Sequence, residues 1–178
     1  MRLQQFILQE GKKMTDPLIG FGFNYSDIKN VVDYIESELI QENIRYQHPD
    51  DYHLTLAIIV GTYDKDELVR SANSLKLDYR LKPVAIRILR GARVPKDFIV
   101  IEYRPNDRFV KEFMELSKEY NTVKFGKITP HISLFTVKKG IIPDAFIKSL
   151  NTNITLKPVK PTEVQIWNDK HEKEYIKK

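Results

Sequence analysis

Two apolar runs rich in β-branched residues, Tyr52–Val60 and Thr129–Val137, are the features that most constrain how this chain of 178 residues can fold. Runs of this length and composition are typical of buried strands. Each contains a histidine followed two positions later by a hydroxyl residue: His53 with Thr55, and His131 with Ser133. Because side chains alternate along a strand, each pair should share one face, with about 6–7 Å between the two residues. The sequence thus predicts two strands that each present an imidazole beside a hydroxyl.

The rest of the chain predicts the same order of elements, strand–helix–strand–helix, before and after a central hairpin. Such an order favours an α+β domain of two related lobes of antiparallel sheet, with outer helices and the histidine strands near the middle. Ser26 is the expected N-cap of the first helix. The predicted strands are Leu18–Asn24, Lys82–Arg90, Phe98–Tyr103, Ile154–Leu156 and Glu163–Trp167, and the predicted helices are Asp27–Gln41, Asp64–Leu75, Asn106–Tyr120 and Pro143–Leu150.

The length fits one domain, which we place at residues 17–167 between an N-terminal extension, 1–13, and a charged, solvated C-terminal tail, 168–178. No apolar run approaches the roughly 20 residues of a membrane span, so no membrane partner is expected. The chain has no cysteine, which excludes a disulfide framework, a thiolate nucleophile and a cysteine metal site. A net charge of +5 favours anionic partners such as nucleotides or RNA, although 24 acidic residues are interspersed with 29 basic ones.

Two histidines, each beside a hydroxyl, suit acid–base chemistry at a phosphodiester. One imidazole can take a proton from a hydroxyl or water while the other protonates the leaving oxygen. The neighbouring hydroxyls can donate to the non-bridging phosphate oxygens. Either a ribose 2′-hydroxyl attacks and forms a cyclic phosphate, or water opens an existing 2′,3′-cyclic phosphate. No metal or other cofactor is needed for either reaction.

The motifs His53-Leu54-Thr55-Leu56 and Thr129-Pro130-His131-Ile132-Ser133-Leu134 resemble the paired signatures of the two-histidine (2H) phosphoesterases. That superfamily includes RNA 2′,3′-cyclic phosphodiesterases, the so-called 2′,5′ RNA ligases, and phage anti-CBASS enzymes that degrade cyclic oligonucleotide signals. The resemblance implies a bilobal fold with a central cleft, metal-independent catalysis, and a site made of His53, Thr55, His131 and Ser133. Ser133 replaces the commoner threonine, which keeps the hydroxyl but loses the methyl that restricts its rotamer.

Residues Met1 to Glu10, ending in Ile7-Leu8-Gln9-Glu10, resemble the cleaved capsid-targeting leaders of large tailed phages; a frayed amphipathic end is the alternative. If this segment is a leader, the enzyme travels in the virion and acts in the host cytoplasm against an early defence signal.

Several other residues are candidates for the substrate site. Aromatic side chains could stack on a base, and cations near a glycine turn or before the second motif could bind phosphate. Phe135 is expected in the core, and Lys124 on the surface. His48, Asp50 and Asp51 could suggest a metal site, but we interpret the two aspartates as turn residues and expect no metal. The candidates for substrate binding are Tyr25, Tyr52, Arg90, Arg93, Lys127 and Trp167.

These observations favour a monomeric, metal-independent phosphodiesterase. The preferred substrate is a cyclic di- or trinucleotide signal, and the alternative is an RNA end that carries a 2′,3′-cyclic phosphate. A non-catalytic nucleotide- or RNA-binding virion protein is the alternative from another class.

Overall fold

The computed structural model describes residues 13–91, 94–123, 129–170 and 172–177. It contains, in chain order, the strands β1 (Lys13–Thr15) and β2 (Leu18–Phe23), a 3₁₀ turn (Tyr25–Asp27), α1 (Lys29–Gln41), β3 (Tyr46–Gln47), β4 (Leu54–Ile58), β5 (Thr62–Asp64), α2 (Lys65–Ser74), β6 (Lys82–Arg90), β7 (Lys96–Arg104), α3 (Asp107–Glu119), β8 (His131–Lys138), α4 (Asp144–Asn153), β9 (Pro161–Trp167) and β10 (Lys173–Lys177).

One antiparallel sheet organises the molecule, with the strand order β10-β9-β2-β4-β8-β7-β6; β3 lies alongside β8, and β1 pairs separately with β5. The two histidine strands are neighbours at the centre, where β4 pairs with β8 through Leu54 and Ile132. Each half of the sheet therefore has a histidine strand at its inner edge, with further strands outside it. The α+β class and the central position of the histidine strands are confirmed.

The core lies between the helices and one face of this sheet. Val31, Val32, Ile35 and Leu39 of α1 are buried, as their helical spacing predicts. Buried side chains from helices α1 to α4 form one cluster with the inward side chains of the strands, including Leu54, Ile132 and Phe135. Burial on this face leaves alternate strand residues on the opposite face, where the histidines lie. No helix in the described part of the chain is long and apolar enough to cross a membrane.

Helix starts follow local capping chemistry in two of the predicted cases. The Asp64 side chain accepts hydrogen bonds from the backbone N–H groups of Asp66 and Glu67, and Asn106 accepts one from Phe109. The prediction for α1 is wrong at its start, because Ser26 lies inside the 3₁₀ turn and Ile28 precedes the helix without a side-chain cap. Backbone hydrogen bonds of the 3₁₀ turn take the place of a side-chain cap at the start of α1.

Two predictions near the C-terminus are also wrong. No strand forms at Ile154–Leu156; Ile154 ends α4, and the segment continues as irregular chain to a single bridge between Val159 and Leu81. The tail, expected to be a solvated extension, instead contributes β10, which pairs antiparallel with β9. Lys173 faces Trp167 in that register, so the charged tail is part of the sheet.

Candidate active site

A single residue pair sets the geometry of the two motifs. Leu54 and Ile132 lie directly opposite each other, and both are buried in the core. Residues on either side of an opposed pair point to the other face of the sheet. In this antiparallel register His53 therefore faces Ser133, and Thr55 faces His131. Each imidazole lies beside the hydroxyl of the other motif as well as that of its own. The two histidines are diagonal neighbours, which are about 7–8 Å apart in a regular ladder.

One residue of each motif borders an open cleft of about 440 Å³, within the usual range for small-ligand sites. His53 and Ser133 both line it, although one comes from each half of the sheet. Thr55 is 8% exposed, and His131 and Ser133 are half-buried. The wall of the cleft consists of Gln47, His48, Pro49, Asp50, Asp51, Lys96, Phe98, Thr136 and Trp167.

The position of His131 depends on the residues just before it. The His131 Nδ1 atom lies 2.7 Å from the carbonyl oxygen of Thr129. Because a carbonyl oxygen can only accept, Nδ1 carries the proton, and Nε2 is the nitrogen that can exchange a proton with a substrate. Pro130 lies at the entrance of the strand, where its missing N–H costs no ladder bond, and its carbonyl oxygen accepts from the Tyr103 N–H at 2.7 Å.

His53 is held by the indole of Trp167. The two ring centroids are 4.8 Å apart, and the planes are inclined by 36°. Trp167 Nε1 donates to Gln165 Oε1 at 3.3 Å, and Gln165 Nε2 in turn donates to Glu163. These three side chains alternate along β9 on the cleft face, and Gln165 is only 1% exposed. A fully buried amide with both of its ends bonded gives this side of the cleft a fixed shape.

Two glycines of β2 make room for this row. Gly22 lies opposite Glu163 in the register. A Cβ on Gly22 would lie 2.5 Å from Glu163 Cγ and 2.7 Å from Gln165 Nε2, which is closer than atoms can pack. Gly20 lies between Thr55 and Gln165. The glycines of this strand therefore accommodate polar side chains that reach over them.

A third histidine, His48, also lines the cleft, but both of its ring nitrogens are engaged. Nε2 lies 3.1 Å from Glu36 Oε1 and Nδ1 lies 3.1 Å from the Tyr52 hydroxyl. Hydrogen bonds from Tyr46 and His48 lower the pKa of Glu36 below its ordinary value. His48 is therefore a structural part of the wall and not an available acid or base. Among the described residues, no group of three or more potential metal ligands converges.

The structure places the other predicted binding residues in different locations. Trp167 lines the cleft and is 5% exposed. Tyr25 and Tyr52 stack on each other, with centroids 5.3 Å apart, behind His48. Burial, together with the neighbouring Tyr25 and Glu36, raises the pKa of Tyr52 to about 12. Phe135 is buried in the core, as predicted.

Arg90 is not brought to the motifs. Its Nη1 donates at 3.0 Å to Asp97, a fully buried carboxylate that also accepts the backbone N–H groups of Gly91 and Gly140. Arg90 therefore stabilises the end of the β6–β7 hairpin. Arg93, Lys124 and Lys127, like the leader-like segment, lie outside the described residues.

Several residues of the site were missed from the sequence. Glu163 and Gln165 alternate with buried Val164 and Ile166, so their polar period of two was a usable signal. Lys173 reaches Trp167 only through the pairing of β10, and its Nζ lies 5.0 Å from the indole centroid and forms an ion pair with Asp51. Lys96 and Phe98 reach the cleft only through the register of β7 with β8, which no local pattern encodes.

The sequence matches no protein-family model and no curated protein. The structure is similar to Escherichia coli LigT complexed with 3′-AMP, with a TM-score of 0.51, 13% identity, and coverage of 94% of this chain and 96% of that one. A solved structure described as a phosphoesterase gives a TM-score of 0.51 at 12% identity, with coverage of 93% of this chain and 96% of that one. Kluyveromyces marxianus Usb1 gives a TM-score of 0.48 at 10% identity, with coverage of 85% of this chain and 93% of that one. The likeness to LigT extends over nearly the whole of both chains. The chain therefore has the fold of the two-histidine phosphoesterases, the superfamily that its paired motifs predict.

Proposed function

We propose that this protein is a metal-independent phosphodiesterase that hydrolyses a ribose phosphodiester, with His53 and His131 as its acid–base pair. The observation that carries the proposal is the register at Leu54 and Ile132. It aligns each histidine with the hydroxyl of the other motif on one face of the sheet. A pair of imidazoles can transfer protons on both sides of one phosphorus, and two neighbouring hydroxyls can donate to its non-bridging oxygens.

The reaction we propose is the opening of a 2′,3′-cyclic phosphate at an RNA end. One imidazole accepts a proton from water as the water oxygen bonds to phosphorus. The bond from phosphorus to one ribose oxygen breaks, and the other imidazole protonates that oxygen. Thr55 and Ser133 donate to the non-bridging oxygens, where negative charge accumulates. The two histidines exchange roles in the reverse direction.

The hydrogen bond at Nδ1 of His131 supports this assignment, because it leaves Nε2 as the nitrogen that can exchange a proton. The RNA end takes precedence here because the open cleft leaves room for an attached strand. The cyclic di- or trinucleotide, together with a phage role, depends on the N-terminal segment outside the described residues and stays a prediction.

Turnover in the presence of EDTA tests the proposal. The purified protein is incubated with 2′,3′-cyclic mononucleotides, short RNAs ending in a cyclic phosphate, and cyclic di- and trinucleotides. We expect hydrolysis of at least one of these ribose phosphodiesters, with His53→Ala and His131→Ala each lowering kcat by about 10³-fold or more while the circular dichroism spectrum is unchanged. Thr55→Ala and Ser133→Ala should lower kcat by about 10²-fold.

His48→Ala is the matched control, since it removes a cleft histidine whose nitrogens are already bonded within the protein; its turnover should stay within about tenfold of the wild type. Nucleotide binding without turnover of any substrate would favour the non-catalytic alternative. Activity that EDTA abolishes and a divalent ion restores would exclude the metal-independent reaction.

A further inference from the structure

The sheet face that carries the second motif continues along β7 and β8 beyond the cleft. Val100 lies opposite Ser133, Phe98 opposite Thr136, and Lys96 opposite Lys138. A bulge between Ile99 and Val100 shifts the register by one residue, and this brings Thr136 to the same face as Ser133. Both Thr136 and Lys96 line the cleft.

A second cavity of about 380 Å³ adjoins the cleft at this end. The two cavities share Gln47, Lys96 and Thr136 as lining residues, so they lie side by side, and we call the two together the channel. We call the second cavity the basic groove; its lining is Arg45, Tyr46, Gln47, Pro95, Lys96, Thr136, Val137 and Lys138. From Ser133 to Lys138 the strand extends about 16 Å, at roughly 3.3 Å per residue. The channel is therefore longer than one nucleotide needs.

Three cations stand in one row across the groove. Lys96 and Lys138 are direct cross-strand partners, and the pairing of Tyr46 with Val137 puts Arg45 beside Lys138. Like charges that face each other destabilise a sheet. Within the described part of the chain no carboxylate lines the groove or forms an ion pair with these cations, and Lys96 donates to the neutral amide of Gln47. The row lacks the anion that would balance it.

The opposite end of the cleft has the opposite charge. Asp50 and Asp51 lie there, and Asp51 is paired with Lys173. A polyanion in the cleft is therefore attracted along the channel toward Arg45, Lys96 and Lys138. Phe98, half-buried, lies between the motif and the cations. A positively charged groove with an aromatic ring beside it is typical of single-stranded nucleic acid sites.

We propose that the basic groove binds the strand of a linear RNA whose end occupies the cleft. This inference rests on the proposed function and narrows its substrate class to an oligoribonucleotide with at least one nucleotide beyond the reacting phosphodiester. A cyclic dinucleotide closes on itself and cannot extend a strand along the groove. Binding energy from the remote phosphates is used to position the reacting end.

Length dependence tests the proposal. We compare kcat/KM for a 2′,3′-cyclic mononucleotide with that for a tetranucleotide ending in the same cyclic phosphate. The ratio of tetranucleotide to mononucleotide should be about tenfold or more in the wild type and fall to roughly threefold or less in the Arg45→Gln/Lys138→Gln double variant. The slope of log kcat/KM against log salt for the tetranucleotide should become shallower by about 0.7 for each lost phosphate contact.

Lys148→Gln is the matched control, because Lys148 is an exposed lysine of α4, which contacts β6 at the edge of the sheet and does not line the cleft or the basic groove. Its ratio should match the wild type. A wild-type ratio near one, a double variant with the wild-type ratio, or a cyclic dinucleotide with a higher kcat/KM than the tetranucleotide would each overturn the inference while leaving the phosphodiesterase proposal intact.

If no substrate is turned over, the proposed function fails, and RNA binding alone then tests whether the basic groove is a strand site. Fluorescence anisotropy with a 5′-labelled tetranucleotide that carries a 3′-phosphate is the readout. Tighter binding by the wild type than by the double variant supports a strand site. Equal binding, or displacement of the RNA by polyglutamate at the same charge concentration, overturns it.

Discussion

The indole of Trp167 covers one side of the His53 imidazole, with 4.8 Å between the ring centroids. The Nζ atom of Lys173 lies over the same indole, 5.0 Å from its centroid, and Trp167 as a whole is only 5% exposed. The ring has little surface left on which a base could stack. We infer that Trp167 is a positioning residue, which fixes the orientation of the imidazole.

Replacing Trp167 should therefore affect the chemical step more than substrate binding. We expect Trp167→Leu to lower kcat by about 10- to 100-fold, because a displacement of the imidazole by about 1 Å is enough to do so. KM should change by less than about threefold, and Trp167→Phe, which keeps a ring against His53, should recover part of the loss. Steady-state kinetics separate the two constants. An increase in KM at constant kcat would instead show that the ring binds the substrate.

The pairing of β10 with β9 should be visible in fluorescence, because Trp167 is the one tryptophan of the chain. Lys173→Gln removes the cation over the indole and the partner of Asp51. We expect a red-shifted emission maximum, stronger quenching by acrylamide, and a loss of stability of about 1 kcal/mol. Lys170→Gln, at an exposed position of the same hairpin, is the control. Identical spectra for the two variants would contradict the contact.

Gly22 should not tolerate a side chain. In Gly22→Ala the new methyl group would lie 2.5 Å from Glu163 Cγ and Oε1, so Glu163 and Gln165 must move. We expect a loss of about 1–3 kcal/mol in urea unfolding. Combining it with Glu163→Ala should recover part of that loss, because the double variant removes one of the clashing groups. Strict additivity of the two changes would mean that the clash is not the cause.

The buried Asp97 makes stability depend on acid pH. Backbone hydrogen bonds from Gly140 and Gly91, together with Arg90, hold the pKa of Asp97 below its ordinary value of 3.8. A carboxyl whose pKa is lowered by folding stabilises the native state above the unfolded pKa, and this stabilisation is lost as pH falls through the folded pKa. We expect the urea midpoint of the wild type to drop below about pH 4. Asp97→Asn should be less stable at pH 7 and should show a smaller drop, whereas Glu115→Gln, at an exposed site, should follow the wild type.

The sequence predicts the elements whose pattern is local. The histidine strands, the β6–β7 hairpin and the apolar stripe of α1 depend on neighbours within a few residues, and these were predicted to within about two to four residues. Elements that form only by pairing with a distant part of the chain were not predicted. The strand at Lys173–Lys177 has a charged composition and pairs only because β9 is beside it, while Ile154–Leu156 alternates like a strand but has no partner.

The same distinction applies to the site. The motif itself predicts that His53 lies near Thr55 and His131 near Ser133, because both separations are two residues along one strand. That His53 faces Ser133 follows only from the register between β4 and β8. Arg90 shows the converse case, since its proximity to a glycine turn suggested a phosphate site, but its partner Asp97 is found only by pairing β6 with β7.

The strand order also determines when the site can be completed as the chain is synthesised. Strands β6, β7 and β8 are close together in sequence and pair with one another, so the His131 half can form as soon as they emerge. The His53 half is completed later, because β9 pairs with the outer side of β2, and Leu18 lies opposite Trp167 from near the other end of the chain. The indole that orients His53 arrives last. A nascent chain that ends before β9 therefore lacks the ring that contacts His53.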